Sequence, residues 1–417
     1  MTEQHQNARN EEYDEYITLK YLGQIQGGNL EIGNWRDVDP EVTNLRFLEK
    51  FDIQTLRLYI NNQVSIKLKN ERIKRLIIKL LKEQDSYSNS KDEEKQQRLN
   101  VDDLDLENLE VLNLYRNSLE NDQLINLAKF KKLHTLDVSF NKVDLTHIHS
   151  ATSLTTLAMP GCGLYDIDQI TYLINLEVLN VSDNQLLTTN SIGSLVNLKE
   201  LDISYNDNID ISSLKDLVGL TILNLCQCRL TQLTALKSLI NLQNLNLSSN
   251  YIINIIELQY LTNLTHLNLQ NCNLVSICAL RPLVNLQALN ISENNIVYLG
   301  ANLNQMTKLL QFNVQTNSIS EFSSLELHPN FYKLKCFKIT EQNRYLPKEE
   351  LRKANKIRLI ERPNIQLKEI QNLHQSNKTA LNECKQKINA VLNCADHIQF
   401  TSSVAQLFEQ LNQPVSQ

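Results

Sequence analysis

Residues 242–263 read LQNLNLSSNYIINIIELQYLTN, and residues 264–285 read LTHLNLQNCNLVSICALRPLVN. The first segment places Leu242, Leu245, Leu247, Asn250 and Ile252 at the spacing L-x-x-L-x-L-x-x-N/C-x-L, and the second repeats it with Leu264, Leu267, Leu269, Cys272 and Leu274. Alternation of Leu245 and Leu247 with polar residues is the period of a half-buried strand. Apolar residues then fall at every third position, through Ile252, Ile255, Leu258, Leu261 and Leu264, which suits 3-10 turns returning the chain to its start. Working outward, further copies begin at Leu109, Leu133, Leu154, Leu176, Leu198, Leu220, Leu286 and Leu309, and from Leu154 to Leu286 the interval is 22 residues each time. A fixed period of this length marks stacked coils, each of which buries its apolar face only against its neighbours.

The expected fold class is therefore α/β: a right-handed solenoid with a concave parallel β-sheet, turns and 3-10 helix on the convex side, and a helical C-terminal extension. In the first regular coil Leu112 and Leu114 point inward, while Val111, Asn113 and Tyr115 point outward. One column, Asn117, Asn141, Cys162, Asn184, Asn206, Cys228, Asn250, Cys272, Asn294 and Asn317, occupies the buried slot where the chain leaves the strand. An amide there can satisfy backbone groups of its own and the adjacent coil, so this column is expected to be a structural ladder. Cysteine in the same slot is a small, weak donor, and Cys162, Cys228 and Cys272 lie too many coils apart to share a metal ion.

A stack of coils has two ends to cover. Residues 1–52, with Trp35, Leu45, Phe47, Leu48 and Phe51, are expected to form an N-terminal cap. Residues 53–81 hold two degenerate coils marked by Ile53, Leu56, Leu58 and by Ile73, Leu76, Ile78. Residues 82–100 contain KEQDSYSNSKDEEKQQR, polar and without periodicity, and are expected to be a flexible insertion. The regular array runs over 101–342, its last strand marked by Leu334, Phe337 and Ile339 with Gln342 in the ladder slot. Residues 343–417 become helical in character, with Leu381, Cys384, Ile388, Val391, Ala395 and Ile398 at coiled-coil spacing. These helices are expected to cap the array, with self-association or partner binding through a coiled coil as the alternative.

Composition narrows the function. With 42% hydrophobic and 21% charged residues the chain has the material for a long core, and only 9 Gly and 7 Pro are available for its many turns. Asparagine is the expected turn former. The net charge of -6 lacks the basic stripe of a nucleic-acid binder. The N-terminal residues are polar and acidic, and no apolar run approaches membrane-spanning length, so no membrane partner is expected. The eight cysteines follow no paired spacing, which suits a reducing setting, the cytoplasm or alternatively the nucleus. No cofactor is expected either. Gly23, Gly27, Gly28 and Gly33 lack the sequence of a phosphate loop, and His147 and His149 have no third ligand at matching spacing. Asn180, Asn246, Asn263 and Asn290 begin tripeptides of glycosylation type that the repeat itself generates.

The surface left for function is the outward face of the sheet. Its central column reads Asn113, Asp137, Ala158, Asn180, Asp202, Asn224, Asn246, Asn268, Asn290, Asn313 and Lys338, flanked by Ser139, Ser182, Ser204, Ser248 and Ser292. Such a field of donors and acceptors suits a polypeptide partner. Val111, Tyr115, Phe140, Tyr205 and Ile222 are its expected apolar and aromatic contacts, with Asn224, Asn246 and Asn268 as orienting amides.

The motif from about Leu104 to Gln342 resembles the 22-residue leucine-rich repeats typified by the leucine-rich regulatory subunit of type 1 protein phosphatase. The Asn-rich composition and the stretch from Ile398 to Leu411 are similar to cytoplasmic leucine-rich-repeat proteins of protists. With no catalytic constellation to assemble, the expected function is a non-enzymatic scaffold for an unidentified protein or peptide. A phosphatase regulatory subunit and an extracellular adhesin-like protein are the alternatives.

Overall fold

The computed structural model describes residues 29–32, 48, 51–61, 68–81, 100–319 and 336–338. The insertion up to residue 99, the cap residues Trp35, Leu45 and Phe47, the helical extension and Gln342 lie outside the described residues. The chain divides into two compact units, 1–220 and 221–417.

In the first unit the strands are β1 (Asn29–Ile32), β2 (Thr55–Asn61), β3 (Leu68–Lys69), β4 (Arg75–Leu81), β5 (Leu104–Asp105), β6 (Val111–Asn113), β7 (Thr135–Asp137), β8 (Thr156–Ala158), β9 (Val178–Asn180) and β10 (Glu200–Asp202). Its parallel sheet runs β1-β2-β4-β6-β7-β8-β9-β10, and β3 pairs separately with β5. Register places Leu112, Leu136, Leu157, Leu179 and Leu201 in one row, each at most 1% exposed. The degenerate coils fall in line: Leu56 and Leu58 pair with Leu76 and Ile78 and are buried. Their strands are longer than the three residues of the regular ones. Within the expected cap, β1 adds one more parallel strand, with Leu30 buried beside Leu56.

In the second unit β11 (Ile222–Asn224), β12 (Asn244–Asn246), β13 (His266–Asn268), β14 (Ala288–Asn290), β15 (Gln311–Asn313) and β16 (Cys336–Lys338) continue the scheme. Leu223, Leu245, Leu267, Leu289, Phe312 and Phe337 are in register.

The return arcs are short 3-10 helices, such as Ser212–Asp216 in the first unit and Ile256–Tyr260 in the second. Ile252, Ile255, Leu258, Leu261 and Leu264 are all buried, as the three-residue spacing predicts. An inverse γ-turn follows the arc: Leu195 has φ −84 and ψ 65, and Val196 N donates to Ser194 O at 3.0 Å.

The ladder explains how one coil is held to the next. Asn250 Nδ2 donates to Leu225 O and Leu247 O, both at 2.8 Å, and its Oδ1 accepts from Cys228 N at 3.1 Å and Leu230 N at 2.9 Å. Asn184 does the same with Met159 O, Val181 O, Cys162 N and Leu164 N. Asn141 and Asn294 repeat the arrangement, and Asn117, Asn206 and Asn317 each reach the preceding coil. The residue before each slot is left-handed, φ 54 at Asp183 and 58 at Ser249, so the chain turns sharply and the N–H groups after the turn face the next coil.

Cysteine fills the slot in its own way. Cys272 Sγ donates to Leu247 O at 3.1 Å, and the backbone N–H of Asn250 points at its sulfur. Cys228 and Cys272 are fully buried, and Cys162 is half-buried. Burial pushes the Cys272 thiol up to about 11, outweighing the backbone donors that favour the thiolate.

Two outcomes follow from the ladder. Asn250→Ala orphans the N–H groups of Cys228 and Leu230 and the carbonyl of Leu225, while Leu247 O keeps the Cys272 thiol, and should cost about 3 kcal/mol in urea unfolding. A melt equal to wild type would remove the ladder's role. For the thiols, among the described cysteines iodoacetamide at pH ~8.5 should modify exposed Cys278 first, leaving Cys228 and Cys272 unmodified until the protein unfolds. Because the folded state raises the Cys272 pKa, its contribution is complete below the unfolded thiol value and is lost as pH climbs toward 11. Peptide mapping of the alkylated protein reads the first point, and Tm against pH the second.

Candidate binding surface

The outward face of the first unit is built on a repeated local turn. Asn180 Oδ1 accepts from Ser182 N, Asp202 Oδ1 from Ser204 N, and Asp137 Oδ1 from Ser139 N, each at 3.0 Å. Asn113 Oδ1 accepts from Tyr115 N at 3.1 Å, and its Nδ2 donates to Asp137 Oδ2 at 2.8 Å. These are Asx turns, in which a short side chain caps the backbone two residues on. The hydroxyls of Ser139 and Ser204 also turn back onto Asp137 and Asp202, and both serines are buried. The uniform polar column read as a binding field is therefore largely occupied with ending each strand.

The second unit follows the same rule. Asn224 Oδ1 accepts from Cys226 N at 3.2 Å, while Asn246 Oδ1 accepts from Ser248 N at 3.1 Å and Ser248 Oγ at 2.8 Å. Asn268 Oδ1 accepts from Gln270 N at 3.1 Å. The three amides expected to orient a partner are half-buried, with their oxygens engaged in the turn. Ile222 lies half-buried at the start of β11, beside Asn244.

In the first unit, the structure gathers Tyr115 and Phe140 with a residue that sequence reasoning passed over. Their rings meet edge to face at 5.5 Å, and the Arg116 guanidinium lies 4.9 Å from the Phe140 centroid and 5.4 Å from that of Tyr115. Arg116 and Phe140 are left-handed, φ 55 and 56, at the turn before the ladder slot. The next residue in that column is Gly161, φ 63, and a Cβ built there would meet Phe140 Cδ1 at 2.6 Å. Phe140 thus rests its ring on bare backbone, held between the glycine on one side and Tyr115 with Arg116 on the other. Val111 opens β6, the strand that Tyr115 follows, and is half-buried. Tyr205, also left-handed and 49% exposed, stands three coils further on, about 14 Å at ordinary strand spacing, and belongs to a different part of the face.

A second amide column also escaped the sequence reading. Asn108, Asn175 and Asn197 in the first unit, and Asn263 and Asn285 in the second, donate across to a carbonyl of the preceding coil at 2.8–3.0 Å. Its signal was the Asn-Leu pair that opens most copies of the motif. Among the described residues no group of three or more metal-ligating side chains comes together, and no helix is long and apolar enough to cross a membrane.

No protein-family model matches the chain, and no curated protein matches it either. Solved structures do. A leucine-rich-repeat protein of Leptospira interrogans superposes with a TM-score of 0.58 at 21% identity, over 79% of this chain and 87% of its own. An internalin of Listeria monocytogenes gives 0.53 at 21% identity, over 59% and 77%. TLR13, solved in a complex with a single-stranded RNA, gives 0.52 at 18% identity, over 70% and 52%. The fold is that of the leucine-rich repeats.

The glycine under Phe140 yields a test of the cluster. Gly161→Ala should lower stability by about 1–2 kcal/mol, from the left-handed backbone and from the displaced ring together. In a Phe140→Ala background only the backbone part should remain, roughly 1 kcal/mol. Strictly additive costs in that double-mutant cycle would mean the ring does not rest on Gly161.

Proposed function

We propose that this protein is a non-catalytic scaffold that binds a polypeptide partner through the outward sheet face of its first unit, with Tyr115, Arg116 and Phe140 as the anchor. The observation that carries the reading is the cluster itself. Two aromatic rings and a guanidinium, the side chains most often found at interface hot spots, are assembled where the core does not require them. Phe140 is 36% exposed and adopts a left-handed backbone that bulky residues avoid. Rings held by a neighbouring cation and by a bare glycine lose little freedom on binding, which favours affinity.

The leucine-rich-repeat neighbours support an interaction scaffold in general terms and name no partner for this chain. A reducing compartment, the cytoplasm or nucleus, remains the proposed location, on cysteine usage alone. A phosphatase regulatory subunit and an adhesin are narrower versions of the same scaffold, separated by what is captured and from which fraction.

The test pairs affinity capture of partners from cells with variants. Replacing Tyr115 and Phe140 together by Ala should weaken the captured partner by about 2–4 kcal/mol while the circular dichroism spectrum and Tm stay near wild type. Unchanged affinity in the folded double variant would move the binding site off this face.

A further inference from the structure

The charges around the anchor are not evenly placed. On β2, β4 and β6 the outward side chains that are described include Arg57 and Arg75, both exposed, and Arg116 follows β6. No acidic residue occupies a described outward position on these three strands. Lys74, just before β4, is already paired with Glu110 at 3.0 Å. Among the described residues no carboxylate forms an ion pair with Arg75 or Arg116. The sign reverses from the next strand onward, beginning with Asp137 beside Asn113 and continuing with Asp183, Glu200 and Asp202.

Register fixes the layout. Arg75 stands beside Val111, and Arg57 beside Ile77 on the neighbouring strand. Val111 and Arg116 stand at the two ends of one short segment, the three-residue strand and the turn that leaves it through left-handed Arg116. Guanidinium groups thus bracket a half-buried apolar strip of Ile77, Val111 and Tyr115.

We infer that the partner segment is an extended acidic peptide: an apolar residue seated on Ile77, Val111 and Tyr115, flanked within five or six residues by carboxylates that Arg75 and Arg116 bind. This rests on the reading of the face as a polypeptide site and adds the chemistry of the ligand. Arginine presents a planar fork that matches a carboxylate, and Arg116 is already stacked on two rings that hold the fork in place. The acidic half of the face sets direction, because it repels the same peptide laid the other way or shifted along the coils. It also disfavours a nucleic acid, whose backbone would carry phosphates over Asp137, Glu200 and Asp202.

A display library of random dodecapeptides, selected on the full chain, tests this. The expected result is enrichment of Asp and Glu flanking an apolar or aromatic residue. The best enriched peptide, measured by fluorescence anisotropy, should lose affinity about tenfold or more in Arg75→Glu and in Arg116→Glu, and weaken with added salt. Circular dichroism confirms that both variants are folded. Selected peptides without acidic enrichment, no enriched peptide at all, or equal affinity in both variants would overturn the proposal. So would a ten-nucleotide oligouridylate that outcompetes the peptide. If the arginine variants bind normally while Tyr115→Ala with Phe140→Ala abolishes binding, the face stands as the binding site and only the acidic ligand is wrong.

Discussion

A buried amide shared between two coils is the interaction on which this fold rests. The chain leaves each strand through a left-handed residue, and the N–H groups just beyond the turn have no acceptor within their own coil. Asn250 supplies one oxygen to two such groups, Cys228 N and Leu230 N, and returns its own two donors to carbonyls of both coils. Leaving any of these unpaired in a leucine-lined interior would cost on the order of a kilocalorie or more per group. A coil is therefore complete only when the next one is present, and stability is a nearest-neighbour property. The same requirement fixes the place of the slot after each strand, since an Asn displaced by one residue would face solvent and a leucine would take its place.

The ladder also dictates what the outward face can be. To reach the left-handed residue the strand must stop after three residues, and the Asx turn of the central column stops it. That is why Asn or Asp recurs at Asn180, Asp202, Asn224 and Asn246, and why the following serines are drawn out of solvent. Few outward positions escape this duty: the first residue of each strand, the residue two beyond the central column, and the left-handed residue itself. Function, where it resides on this face, has to be written in those positions. Arg75, Val111, Tyr115, Arg116 and Phe140 all occupy them.

Sequence pattern alone carried the core, because leucines at fixed spacing leave one way to bury themselves, and Leu112, Leu136 and Leu157 stand in the expected row. The ladder column was legible for the same reason, down to the cysteines that take its slot. The Asx column was not. An outward Asn looks identical on paper whether it awaits a ligand or caps the backbone two residues later, and only the distance from Asn246 Oδ1 to Ser248 N separates the two. The left-handed positions were equally silent, since Gly161 is the one glycine among residues such as Arg116, Phe140 and Ser249 that the turn forces into the same backbone. Without that knowledge Arg116 drew no attention, and Tyr205 appeared equivalent to Tyr115 although they belong to different columns.

The position of the candidate anchor near the irregular end of the first unit has a physical reason. In the regular coils a three-residue strand and the Asx turn that usually ends it leave little room for outward variation. β2 and β4 are freer, because their strands run to seven residues and carry Arg57 and Ile77 where the regular coils place Asn or Asp. Release from the turn lets cationic and apolar side chains share one strip, and the first regular coil adds Tyr115 and Arg116 at its exposed exit. A long-range field is not needed for such a site. At physiological salt charges act over roughly 8 Å, so an acidic residue of a partner would feel Arg75 or Arg116 only on close approach, with the apolar strip between them already dehydrating. Under those conditions charge selects and orients the ligand while the rings hold it, and the regular coils provide a rigid frame in which neither group has to move.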